Sequence, residues 1–166
     1  MQSLQDLLAF LADALLLPVF AGLLLLLAFA LVSAGSFVRE YLLRERSATD
    51  RRLRIAGLAA GDRELAAAEL DRLEMRFARI VDRGALAARL APMFGLAGTL
   101  IPLGPGLREM NAGNLQGLGA QLAVAFSTTV AGLAASGVCF AISSIRSRWY
   151  ENELRKLEAA AARRSE

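Results

Sequence analysis

The sequence predicts an all-α, polytopic membrane protein whose three transmembrane helices are extended into the cytoplasm. Composition is the first reason: of 166 residues 55% are hydrophobic, the mean hydropathy is +0.43, and charge falls in blocks instead of being spread over a wet surface. Three charge-poor windows are the second, each long enough to cross about 30 Å of hydrocarbon. The third is the placement of arginine. Residues 39–89 hold twelve, and the tail after Ile145 holds five with Lys156. The amino-terminal stretch has none, and the second turn has only Arg108.

The chain opens with "SLQDLLAFLADALL", where Leu4, Leu7, Leu8 and Leu11 recur at helical spacing. Residues 1–13 therefore read as a short helix lying on the outer interface, although a plain extension of the first span fits the same pattern. The first window, Ala14 to Val38, is 25 residues without a charge and forms transmembrane helix 1. A cleaved signal peptide is disfavoured, because the amino-terminal region carries Asp6 and Asp13 and no basic residue. Residues 39–89 are rich in Ala, Leu, Glu and Arg and form a cytoplasmic helical segment broken near Gly57 and Gly61. Its apolar stripe is Leu65, Leu73, Phe77 and Ile80.

The second window, 90–107, has 18 residues and ends in "PLGPGL", where Pro102, Gly104, Pro105 and Gly106 are expected to loosen and then stop transmembrane helix 2. The Gly- and Asn-rich stretch 108–117 forms an external turn, and 118–145 forms transmembrane helix 3. The remaining 146–166 form a cytoplasmic helical tail, with Trp149 and Tyr150 placed as interfacial anchors. The arginine asymmetry puts the amino terminus outside and the carboxyl terminus in the cytoplasm, as expected for a multi-pass protein of the cell (inner) membrane.

Composition also excludes several functions. A pI near 9.7 comes with a net charge of only +3, and the basic residues are interleaved with acids, so nucleic acid is not a partner. Histidine is absent and Cys139 is the one cysteine, sitting in an apolar run as a small buried hydrophobe. Zinc clusters, disulfides and Cys/His catalysis are thereby ruled out together. No cofactor or metal is expected, and no extramembrane segment is large enough to bury the core of an enzyme domain.

The chemistry concentrates in the second and third spans. Small residues line both: Ala91, Gly95, Ala97 and Gly98 in one; Ala125, Ser127, Ala131, Gly132, Ala135, Ser136 and Gly137 in the other. Small faces let helix backbones approach closely in lipid. At about 1.5 Å of rise per residue, Thr99 lies roughly 15 Å from the inner end of its span and Thr129 roughly 16 Å from the outer end of its own. Both reach the bilayer midplane. Thr99 shares a face with Pro92, Gly95 and Pro102, and Thr129 with Ala125, Gly132 and Ser136. Pro102 also frees the Gly98 carbonyl from its usual amide donor. These hydroxyls either form a polar functional interior or bond back to their own helices as packing contacts. No Asp, Glu, Lys, Arg or His lies well inside a span, so any proton-carrying acid must come from another subunit.

At these residues the chain resembles the MotA/TolQ/ExbB proton channel family. "APMFGLAGTLIPL" matches its second-span pattern A-P-L-x-G-L-x-G-T, and "STTVAGLAAS" its third-span pattern T-T/A-x-x-G-L-x-x-A. The likeness covers about Ala88 to Arg148. It implies a homopentamer around two helices of a single-span partner like ExbD, TolR or MotB, whose membrane Asp takes up and releases a proton or sodium ion. It implies an ion pathway at Thr99 and Thr129, with Thr128 beside it, and a partner-helix packing face of Pro92, Gly95, Gly98, Pro102, Ala125, Gly132 and Ser136. The chain departs from the ExbB and TolQ branch by carrying Val124 where that branch has Glu, with Gln121 the nearest polar residue. Its cytoplasmic segment is also short for a flagellar stator. The implied function is the scaffold subunit of a motor complex driven by ion flow. Its rivals are a non-conducting membrane anchor and a self-contained channel, the latter opposed by the lack of intramembrane charge.

Overall fold

The computed structural model describes the backbone of residues 2–61 and 63–162, and the side chains of 14–43, 64–65 and 67–159. It contains three helices in chain order, α1 (Gln2–Gly61), α2 (Arg63–Asn111) and α3 (Leu115–Ala162). Each holds a stretch long and apolar enough to cross a membrane: Ala14–Leu43, Ala67–Asn111 and Leu115–Ala159. At 60, 49 and 48 residues, the helices are also far longer than the ~20 residues that a hydrocarbon core requires. Residues 39–61 and 63–89 are helical. The helix runs through Gly57 and ends at Gly61. The amphipathic reading of residues 1–13 concerns side chains outside the described ones.

The outer limits of α2 and α3 differ from the sequence expectation. Pro102 and Pro105 do not stop α2, which continues to Asn111 with Pro92, Pro102 and Pro105 inside it. Each proline removes one amide donor, and an apolar helix tolerates that where neighbouring groups shield or re-satisfy the freed carbonyl. Pro102 is among the fully buried side chains. The turn shrinks accordingly to Ala112, Gly113 and Asn114. Gly113 takes φ +77°, a left-handed conformation that glycine adopts without a Cβ penalty. This lets Asn114 N–H reach Glu109 O at 2.9 Å and Gly113 N–H reach Met110 O at 3.0 Å, closing the end of α2 as a Schellman motif. Asn114 then caps α3, its Oδ1 accepting from Gly117 N–H at 3.0 Å.

The helices build two compact units, each taking a piece of all three. The first combines residues up to Val32 with Leu86–Cys139. Its core is Ala30, Ala87, Ala88, Ala91, Ala135 and Cys139, with Leu26 and Leu27 packed against it. A core of such short side chains brings backbones together, as helix contacts in lipid require. Gly22 of α1 lies under the Phe94 ring of α2, and a Cβ at that position would collide with it.

The second unit combines Ser33–Ala85 with the chain from Phe140 onward. Phe77 stacks on Tyr150 at 4.2 Å between ring centroids. Trp149 stacks on Phe37 at 5.1 Å and on Tyr41 at 6.0 Å. Of the expected stripe, Phe77 is buried, Leu73 and Ile80 are half-buried, and Leu65 is exposed. Tyr150 is not an outward anchor either. It is buried and donates its hydroxyl to Glu40 Oε1 at 2.6 Å, while Arg146 Nε meets Glu40 Oε2 at 3.0 Å. A carboxylate one helix away claims the phenol, and α3's own sequence carries no sign of it.

Candidate functional site

The site lies where α2 faces α3 within the first unit, and a heptad pattern makes it. On α2, Pro92, Gly95, Thr99, Pro102, Gly106 and Glu109 follow one another at alternating steps of three and four residues. Such spacing keeps one stripe of a helix against a neighbour. Glycine sets the separation. A Cβ on Gly132 would stand 2.7 Å from Ala91 O and 2.8 Å from Gly95 Cα; one on Gly95 would stand 3.3 Å from both Gly132 Cα and Thr128 O. Any larger residue at Gly132 therefore meets backbone, which cannot rotate away.

Such close backbones let short side chains reach across. Thr129 Oγ1 of α3 lies 3.3 Å from Gly95 O and 3.4 Å from Thr99 Oγ1, and Thr99 Oγ1 is 3.4 Å from Gly95 O. Three oxygens from two helices thus form a nearly equilateral triangle. Proton accounting shows what this group can do. Thr99 is 2.7 Å from Leu96 O, and that short bond takes its single proton. Thr129 has one proton to give, to Gly95 O or to Thr99 Oγ1, at distances that make a weak bond. Thr99 and Gly95 keep spare lone pairs, so the triangle is rich in acceptors and suits an incoming proton donor or cation.

The remaining expected residues fall out as follows. Thr128 is buried and turned back on α3, donating to Ala125 O at 2.8 Å. It packs on Gly98, where a Cβ would stand 2.8 Å from its Oγ1, and so it stands apart from the Thr99–Thr129 pair. Gly95, Gly98, Pro102, Ala125 and Gly132 are buried within this chain, and Pro92 is half-buried. Their small size brings α2 against α3. Ser136 donates to Ala88 O at 2.7 Å. Pro92, four residues after Ala88, has no N–H to offer that carbonyl, so the serine replaces the missing helical donor. A proline and a serine on facing small-residue stripes were the available sign of this bond, and sequence reasoning missed it.

Toward the turn, Gly106 approaches Gln121, with 3.3 Å from a built Cβ to the Gln121 Cβ. Beyond it, Glu109 Oε2 accepts from Asn114 Nδ2 at 2.6 Å. Among the described residues no cluster of His, Cys, Asp and Glu could hold a metal ion. No Asp, Glu, Lys, Arg or His lies between Arg89 and Arg108 on α2 or between Glu109 and Arg146 on the way through α3. The arrangement offers acceptor oxygens and brings no Asp, Glu, Lys, Arg or His of its own.

The family model of the MotA/TolQ/ExbB proton channel family matches residues 56–159. No curated protein and no solved structure matched the chain. The matched residues include the proline- and glycine-lined face of α2, the small-residue face of α3 and the Thr99–Thr129 pair. With three helices long and apolar enough to span a bilayer, the chain is a multi-pass membrane protein that belongs to the MotA/TolQ/ExbB proton channel family.

Proposed function

We propose that the chain is the scaffold subunit of a motor or channel complex in the cell inner membrane. It couples influx of protons or sodium ions to movement of a single-span, ExbD/TolR/MotB-like partner. Five copies surround the partner's helices, the amino terminus lies outside, and the arginine-rich helix extensions lie in the cytoplasm. The partner contributes a membrane Asp, the titratable group this chain lacks. Thr99 and Thr129 receive the carboxyl group during its protonation cycle, with Thr128 supporting the neighbouring turn of α3. Pro92, Gly95, Gly98, Pro102, Ala125, Gly132 and Ser136 keep the face beside this group narrow enough for another helix to approach.

The observation that carries this reading is the acceptor-rich oxygen triangle of Gly95, Thr99 and Thr129, set roughly ten residues, about 15 Å, from the charged end of its span. Hydroxyls placed there without a partner would stabilise little, whereas beside a carboxyl that gains and loses a proton they act on both of its states. The test is ion flux in vesicles. The chain alone should leak few protons; the chain assembled with its single-span partner should conduct. A complex that assembles at full yield and conducts nothing would leave a purely structural anchor as the better description.

A further inference from the structure

Two faces of the chain are left uncovered by its own packing, and they match each other. On α2, away from α3, Met93, Leu96, Leu100, Leu103, Leu107 and Met110 recur at steps of three and four residues, each between 38% and 66% exposed. On α3, away from α2, Ala120, Ala123, Ser127, Val130, Ala134 and Gly137 recur at the same steps, all exposed. Set antiparallel with Leu103 opposite Ser127, each Met or Leu of the first stripe meets an Ala, Gly, Ser or Val of the second, from Met110 on Ala120 to Met93 on Gly137. Large side chains then fill the space that short ones leave between helices in lipid. Gly137 has nothing within 4 Å of its built Cβ, so its own chain makes no use of its small size. The Ser127 hydroxyl already donates to Ala123 O at 2.8 Å, and an apolar neighbour strands no donor there.

Followed toward the other end of each helix, the same register pairs charges. It sets Asp82 opposite Arg148, Arg79 opposite Glu151 and Arg72 opposite Glu158, all of them exposed. Wherever both stripes carry a charge the signs are opposite. Lipid covers an apolar face, but it accounts neither for that pairing nor for the matching of large with small. Helix α2 cannot lay this face on its own α3, because Gly95, Gly98 and Gly106 already hold that helix on another side. The complement is therefore α3 of a second copy.

The depths agree as well. In the chain's own seam Gly95 meets Gly132 and Gly106 meets Gln121, a register three residues from that of the stripes. Three residues are roughly 4.5 Å, less than one helical turn. Copies related by an axis along the membrane normal keep each residue at its own depth, so a neighbour's α3 presents nearly the register that α2 finds at home. A contact between two different faces repeats from copy to copy and can close into a ring.

We infer that the exposed Met/Leu stripe of α2 docks on the exposed small-residue stripe of α3 in the next copy, with Arg79–Glu151 and Asp82–Arg148 pairs fixing the register. This inference rests on the proposed assembly of several copies and adds to it the faces by which they meet.

The experiment is cysteine cross-linking in membranes that hold the chain with its single-span partner, where the buried Cys139 should leave wild type unlinked. A chain carrying both Leu103→Cys and Ser127→Cys should give a ladder of linked copies on oxidation. Co-expressed chains with one of these substitutions each should give only the mixed dimer. Leu103→Cys combined with Ala134→Cys, about 10 Å out of register, should link far less. Arg79→Glu should lower the share of assembled chains about two- to fivefold at low ionic strength, and Glu151→Arg in the same chain should restore it. Linking of Leu103→Cys chains to each other, equal linking through Ala134→Cys, or a charge swap without recovery would overturn the inference. So would an intact oligomer that gives no links, which leaves the proposed function standing. A wild-type chain that stays monomeric beside its partner would overturn both.

Discussion

Ser136 of α3 hydrogen-bonds the Ala88 carbonyl of α2 at 2.7 Å, in the place that Pro92 leaves vacant by having no amide proton. The bond crosses between helices only because one helix cannot make it alone. Ser136→Ala should therefore strand a buried carbonyl and cost about 1 kcal/mol of stability in detergent. In the Pro92→Ala background the helix supplies its own amide to Ala88, and Ser136→Ala should then cost much less. A double-mutant cycle read by thermal or denaturant unfolding checks this; strictly additive effects would show that the serine and the proline are not linked.

Glycine at 132 is required by backbone, not by flexibility. Gly132→Ala would drive a methyl group against Ala91 O and Gly95 Cα, forcing α2 and α3 apart at a cost of about 1–3 kcal/mol. Gly137, five residues on, has nothing within 4 Å of its built Cβ. Gly137→Ala should be neutral or slightly stabilising for the isolated chain, since alanine is the better helix former. Melting temperatures of the two variants, measured side by side, should move in opposite directions or differ widely; equal losses would contradict the close approach.

Thr99→Val and Thr129→Val exchange a hydroxyl for a methyl of similar size, so assembly should be retained. Ion flux in the complex should fall by about one to two orders of magnitude, the equivalent of one hydrogen bond to a charged group. Thr128→Val should behave differently, because its hydroxyl is already engaged by Ala125 O. It should alter packing at Gly98 more than it alters flux. Flux equal to wild type in both Thr99 and Thr129 variants would return that pair to a packing role.

Glu40 ties two groups on α3 to α1, one on each carboxylate oxygen. The Arg146 side chain is 11% exposed, and losing its partner leaves a mostly buried guanidinium. Glu40→Ala should cost about 2–3 kcal/mol, below the loss at a fully buried pair because Glu40 itself is 30% exposed. Tyr150→Phe should cost about 1 kcal/mol. Unfolding midpoints measure both, and a Glu40→Ala loss no larger than that of Tyr150→Phe would mean that the ion pair contributes nothing.

What could be read in advance follows from the range of the forces involved. The three spans were legible because hydrophobicity is a property of a contiguous window, and Thr99 met Thr129 as counted because helical rise is uniform. The extent of α2 was not legible. Pro102 and Pro105 carry local signals for stopping, and their tolerance depends on surroundings that no local pattern encodes. Tyr150 shows the same limit: its position beside Trp149 suggests the membrane surface, while a carboxylate 110 positions earlier in the chain takes its hydroxyl. Thr128 and Thr129 are adjacent in sequence yet face different neighbours, a 100° rotation that decides which hydroxyl reaches α2.

The three-residue link around Gly113 bears on how the protein is made. With three residues between them, α2 and α3 are tied at one end and lie side by side as soon as both are helical. The Schellman closure and the Asn114 cap satisfy the turn's backbone locally, so the two helices can enter as a preformed hairpin. Such a hairpin carries one strongly polar tip across, and Arg108 and Glu109 at that tip offset each other's charge. Entry as a hairpin would make insertion of this half of the molecule a single event, with a charge-balanced pair at its leading edge.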